Sequence, residues 1–188
     1  MEHRFGKLLR AGGALLLAAV AHVCWAGGIS EWYDHARDEV VDTYQQGGTD
    51  VLLPFRTYHL RSAYSDAQIH TFQEHPPGLG LGRSRLDEKG NWHGVYALEF
   101  QDSHYMPEWM IGYSWLYGMR VVDDARASLG YAAFITTRKD YSNYAPTPGI
   151  VPIASLQIHR LSVEGTYIPG GRSFGNILFF WFKWHMGE

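Results

Sequence analysis

From residue 51 onward the chain alternates apolar and polar positions in short pieces separated by turn residues. A period of two is the pattern of strands with two unlike faces. Eight strands are predicted, at about 51–64, 78–88, 91–102, 109–121, 126–138, 149–159, 161–168 and 175–186. Lys89-Gly90-Asn91, Asp123-Asp124 and Pro169-Gly170-Gly171 supply turn chemistry between several of them. Ahead of the strands, SEWYDHARDEVVDTYQQGG changes period. Trp32, Tyr33, Ala36, Val40, Val41 and Tyr44 recur at helical spacing, Ser30 can cap the start, and Gly47-Gly48 ends the pattern. This predicts a helix over about 30–47 whose apolar side lies against a core or in a membrane interface.

The last strand, NILFFWFKWHM, indicates what surrounds the sheet. One face carries Leu178, Phe180, Phe182, Trp184 and Met186, without a polar group; the other carries Ile177, Phe179 and Trp181, then Lys183 and His185. A strand facing lipid requires such an outer face, and a soluble lipid-binding barrel does not. The reading is therefore an all-β fold: an eight-stranded antiparallel transmembrane β-barrel preceded by a short N-terminal amphipathic α-helix. Its barrel spans about 51–186. Its interior is expected to be apolar in one half and polar in the other, wide enough for side chains or one small ligand.

The N-terminus adds an address. MEHRFGKLLR followed by AGGALLLAAVAHVCWA has the charged and apolar regions of a secretory signal, with cleavage expected after Ala26. That assigns 1–26 to a signal peptide and 27–188 to the barrel domain with its helix. The expected location is the outer membrane of a Gram-negative cell. Removing residues 1–26 takes away Cys24, the only cysteine, which excludes disulfide or thiol chemistry from the mature chain. It also takes Glu2, Arg4, Lys7 and Arg10, leaving 13 basic and 18 acidic residues, so a nucleic-acid-binding surface is not indicated. Aromatic residues make up 15% of the chain, which suits the interfacial girdles of a membrane barrel.

Strand direction then places the candidate chemistry. In an up-and-down barrel whose N-terminus is periplasmic, strands one and three both run outward. His59 and the pair Asp102-Ser103 arrive at the same outer rim, and these are group types used in acyl transfer. Residues at a rim are also often solvated loop ends. His70 and His75 read as loop histidines, and GLGLG at 78–82 lacks the helix of a phosphate-binding loop, so no metal and no cofactor is expected.

One stretch, LDEKGNWHGVYALEFQDS at 86–103, resembles the PagP family of outer-membrane lipid A palmitoyltransferases. Further similar pieces are DTYQQ, TYH with Arg61 and Ala63-Tyr64, VPIAS and TYIPG. The resemblance implies transfer of a palmitoyl chain from the sn-1 position of a phospholipid donor to a lipid A acceptor, by a barrel for which a monomer suffices. It assigns the catalytic positions to His59, Asp102 and Ser103. On that reading His59 is a general base oriented or charge-compensated by Asp102, and Ser103 is a nucleophile or an oxyanion donor. It also implies lateral lipid access through gaps flanked by Pro54 and Pro76, and by Pro152 and Pro169, and a possible lipid A phosphate contact for Arg138. The family floors its acyl slot with a glycine, where this chain has Ser114 in Gly112-Tyr113-Ser114-Trp115, so acyl chains somewhat shorter than palmitoyl are expected. A second departure is the ending Met186-Gly187-Glu188 in place of a terminal aromatic residue. The competing reading is a non-catalytic barrel acting as an adhesin or surface-binding protein, whose lumen would be plugged by polar side chains.

Overall fold

The computed structural model describes residues 28–140 and 142–187, so the expected signal peptide lies outside the described residues. The chain forms two compact units that divide after Val41, within the helix α1 (Ile29–Gln46). The helix starts one residue before the predicted cap. Gly28 accepts the N–H groups of Glu31 and Trp32 on its carbonyl, which leaves Ser30 inside the first turn. Trp32, Tyr33, Val40, Val41 and Tyr44 are exposed along it.

The second unit is a closed antiparallel barrel in sequential strand order, with the last strand pairing the first. Its strands are β1 (Gly48–His59), β2 (Gly78–Leu86), β3 (Trp92–Gln101), β4 (Pro107–Val122), β5 (Ala125–Thr137), β6 (Thr147–Ile158), β7 (Leu161–Ile168) and β8 (Ile177–His185). All eight expected strands are present. The largest boundary difference is in the first, which starts three residues earlier and stops at His59 rather than continuing to 64. The chain turns there, and Ser65 begins a short helix α2 (Asp66–Ile69) with a capping box: its hydroxyl accepts the Gln68 N–H while the Gln68 side chain accepts the Ser65 N–H. The ending without a terminal aromatic does not open the barrel, since β8 pairs β1 from Ile177↔His59 to His185↔Asp50.

Alternation sorts the side chains as lipid demands. On β8, Phe182 and Trp184 are exposed while Phe179, Trp181 and Lys183 are buried inside. Outward Leu81, Ile111, Leu129 and Ile150 extend the apolar exterior to other strands. Inside, Leu52, Leu98, Phe100, Ile153, Phe179 and Trp181 form one cluster. The connections differ between the rims. One rim has three short turns, residues 87–91, 123–124 and 159–160, and the other has the longer segments 60–77, 138–146 and 169–176 together with the five-residue turn 102–106. Short turns at one end and long loops at the other are the pattern of outer-membrane barrels.

Two seams are incompletely paired. The β1–β2 ladder stops at Leu52↔Gly80, before Pro54 and Pro76, and β1 carries an irregularity between Pro54 and Arg56. The β6–β7 ladder stops at Ile153↔Thr166, before Pro152 and Pro169. Proline has no N–H to continue a ladder, which accounts for both breaks at these positions.

Candidate active site

The segment DEKGNWHG is a hairpin turn at the short-turn rim. Asp87 Oδ1 accepts the N–H groups of Lys89 and Asn91, and its Oδ2 accepts the Asn91 side-chain amide. Gly90 sits at φ 81°, where glycine is favoured. Burial opposes the charge on Asp87, but the bonds from Asn91 and His93 outweigh it and bring the carboxyl to about 2. The turn sets the register of β3, which carries Asp102 and Ser103 to the opposite rim, the one with long loops.

His59 ends β1 at that same rim and is 1% exposed. Its ring stacks on Phe72 at 4.2 Å and meets the edge of Tyr64 at 5.2 Å. Ser103 Oγ lies 2.9 Å from His59 Nε2, and both groups are buried. Phe72 and Tyr64 come from the long connection between β1 and β2, so part of this loop covers the imidazole.

Asp102 is placed differently from the expectation. Its Oδ1 accepts the backbone N–H groups of His104 and Met106, at 2.8 and 2.9 Å, which closes the turn behind Ser103. Its Oδ2 has no hydrogen-bond partner and lies 3.6 Å from Arg138. The expected contact to the imidazole is made instead by Glu74. Glu74 Oε1 is 3.2 Å from His59 Nδ1 and accepts the His59 backbone N–H at 3.2 Å. The physical reason is backbone direction: the turn at 102–106 aims the Asp102 carboxylate at its own N–H groups, as short acidic side chains do in turns.

Glu74 reaches His59 because the chain before β2 continues between β1 and β3. Thr57 donates its N–H to the Glu74 carbonyl, and Gln73 donates its N–H to the Ser103 carbonyl. Arg61 grips the carboxylate with two bonds of 2.8 Å, and Arg56 adds one of 3.0 Å. The Arg61 guanidinium and the N–H groups of His59 hold the Glu74 carboxyl near 2, against the opposing effect of burial. Sequence reasoning missed Glu74, an acidic residue in a polar loop with no spacing that marks it.

Arg138 follows β5 and is held by carboxylates: Asp140 at 3.1 Å, Glu108 at 3.3 Å and Asp102 at 3.6 Å. Burial works against its charge, yet these anions outweigh it and raise its pKa. Among the described residues, Asp102, His104 and Asp140 bring potential metal-ligand atoms within 4.8 Å of one another. The Arg138 guanidinium already supplies the positive charge at two of these carboxylates.

Below Ser103 the barrel holds a cavity lined mainly by apolar side chains, among them Phe100, Met110, Phe134, Ile153 and Phe179. Ser114 also lines it, 7% exposed, facing Gly94 across the β3–β4 pair. A Cβ on Gly94 would come within 2.9 Å of Ser114 Oγ, so the glycine leaves the room that the serine side chain uses. Toward the short-turn rim the lining turns ionic. Lys183 Nζ is 2.6 Å from Glu164 Oε1, Trp181 donates its indole N–H to Glu164 Oε2 at 2.9 Å, and His185 lies 2.6 Å from Asp50. The interior is thus apolar beneath His59 and Ser103 and polar at the far end.

Comparison with known proteins supplies the family. A family model described as antimicrobial peptide resistance and lipid A acylation protein PagP matches residues 39–183. The chain is 45% identical over 152 residues to a Lipid A acyltransferase PagP of Methylobacillus flagellatus, covering 80% of this chain and 82% of that one. It is 42% identical over 155 residues to one of Laribacter hongkongensis, covering 82% and 75% respectively. To one of Bordetella bronchiseptica it is 38% identical over 170 residues, covering 90% and 92%. A barrel with a lipid-facing exterior, and relatives matched across most of its length, place this chain in the PagP family.

Proposed function

We propose that this chain is an outer-membrane acyltransferase that moves a palmitoyl or slightly shorter chain from the sn-1 position of a glycerophospholipid to a hydroxyl of lipid A. The observation that carries the reading is the contact of 2.9 Å between Ser103 Oγ and His59 Nε2 at the mouth of an apolar cavity. The long-loop rim faces the cell exterior, where lipid A resides. The donor's acyl tail lies in the cavity and its ester stands at Ser103. A barrel that only bound surface components would gain nothing from a greasy interior.

In the transfer, the donor's ester C–O bond breaks and the acyl carbon bonds to the lipid A oxygen. His59 takes the proton of the lipid A hydroxyl and returns it to the oxygen of the lysophospholipid product. Ser103 meets the ester carbonyl in one of two ways. Attacking its carbon, it passes its own proton through His59 to the leaving lysophospholipid oxygen and becomes an acyl ester, which the lipid A hydroxyl then cleaves, its proton returning through His59 to the Ser103 oxygen. Donating to its developing oxyanion, it leaves the transfer direct. An acyl group on Ser103 in rapidly quenched protein distinguishes the first from the second. Asp102 shapes the turn that presents Ser103, and Arg138 balances its charge. Arg138 is available to a lipid A phosphate only in competition with three carboxylates. Lipids enter sideways, through the unpaired seams at Pro54 and Pro76 and at Pro152 and Pro169. One closed barrel contains all of these parts, so a monomer suffices.

The test is acyl transfer by the protein folded in micelles containing phospholipid and lipid A. Mass spectrometry should find lipid A heavier by one acyl group and an equal amount of lysophospholipid. A folded barrel that forms neither product contradicts the proposal.

A further inference from the structure

We propose that Glu74, rather than Asp102, is the residue that positions the His59 imidazole for proton transfer. The inference rests on the reading of His59 as the base. Two observations carry it: Glu74 Oε1 is within hydrogen-bond reach of His59 Nδ1, and Asp102 makes its bonds to the backbone of its own turn.

A carboxylate accepts hydrogen bonds and cannot donate them. Two arginines surround Glu74 and keep it ionised. The proton of a neutral His59 must therefore sit on Nδ1, where Glu74 accepts it. The lone pair is then on Nε2, facing Ser103 Oγ at 2.9 Å. Only this tautomer lets Nε2 take a proton at the cavity mouth. Glu74 also accepts the His59 backbone N–H, so one carboxylate fixes both the ring and the strand end that bears it. Phe72, stacked on the ring two residues before Glu74, limits its rotation. When His59 becomes cationic during transfer, Glu74 is the nearest anion to it. The result is an order of Ser103, His59 and Glu74 in which the acid comes from the β1–β2 loop.

The tests compare Glu74→Gln, Glu74→Asp and His59→Ala in the same acylation assay, each variant first shown to be a folded barrel. Glu74→Gln keeps the shape and removes the charge. It should lower kcat at least about tenfold while KM for either lipid stays within about twofold. Glu74→Asp should recover part of kcat. A role confined to holding the loop would disturb KM or folding, and Asp would give no recovery in kcat. A second measurement needs no Glu74 variant. In wild-type protein labelled with ¹⁵N-histidine, the His59 signal, identified by its loss in His59→Ala, should show the proton on Nδ1 above neutral pH. A proton on Nε2, or a wild-type kcat for Glu74→Gln while His59→Ala is inactive, overturns the inference. Full activity in His59→Ala removes the underlying reading of His59 as base, and the inference with it.

Discussion

His59 and Ser103 are 44 residues apart in sequence, and their side chains meet at 2.9 Å. The barrel makes this possible in a specific way. β1 and β3 run in the same direction with β2 between them, so their ends stand about 10 Å apart at the usual strand spacing. β2 begins only at Gly78, below this level. Above it the chain from Gln73 to Pro77 fills the space, letting the imidazole and the serine reach across and adding Glu74 between β1 and β3. The two buried groups stand at the top of an apolar cavity, an arrangement that supports the proposed link between acyl transfer and the selection of a fatty chain.

Ser114 should set the length of that chain. It lines the cavity, facing Gly94, and its side chain occupies about the volume of one methylene in a closely packed interior. Ser114→Gly should shift the preferred donor chain upward by about one methylene without altering barrel stability greatly. Mass spectrometry of lipid A after incubation with donors of graded chain length measures the shift. An unchanged preference would remove Ser114 from chain selection.

The Lys183–Glu164 pair makes a prediction about stability. Both side chains are at most 10% exposed, and Glu164 also accepts the Trp181 indole N–H. Lys183→Met leaves the Glu164 charge buried and uncompensated, which should cost about 3–5 kcal/mol. Lys183→Met combined with Glu164→Gln should cost clearly less than the single change. Denaturant unfolding in lipid vesicles, followed by tryptophan fluorescence, gives both values.

Acid should loosen the β1–β2 loop at a defined pH. Glu74 titrates near 2 in the folded protein, against an ordinary value of 4.5. A carboxyl with a lowered pKa contributes stability in full above its unfolded value and loses it as pH falls through the folded one. The Arg61–Glu74–Arg56 cluster should therefore hold above about pH 4.5 and weaken toward pH 2. Hydrogen exchange at the His59 amide, which donates to Glu74, should report the loss while the strand amides stay protected. In Glu74→Gln that amide should show no such change with pH over this window.

The parts of the structure that were legible in the sequence are those where lipid acts on each residue separately. Leu178, Phe180, Phe182 and Trp184 must be apolar because each faces a hydrocarbon exterior, so β8 and the barrel class follow from alternation. Strand direction then places His59, Asp102 and Ser103 at one rim without any contact being known. The end of β1 was harder to read, because TYHLR continues the alternation past the point where the backbone turns. The capping box of Ser65 and Gln68 marked that change locally. Glu74 had no such signal. Its contact with His59 depends on a loop lying between two strands, which is a tertiary relation, whereas the role expected of Asp102 comes from the family resemblance and from its place at the same rim.

Whether the cavity and its His59–Ser103 mouth carry out acyl transfer is tested most directly by comparing wild-type protein with His59→Ala, both folded in micelles with phospholipid and lipid A. Wild type should produce lipid A carrying one additional acyl chain, and His59→Ala should slow this at least about a hundredfold with its barrel intact. Equal rates for the two proteins, or no acylated lipid A from folded wild type, would contradict the account.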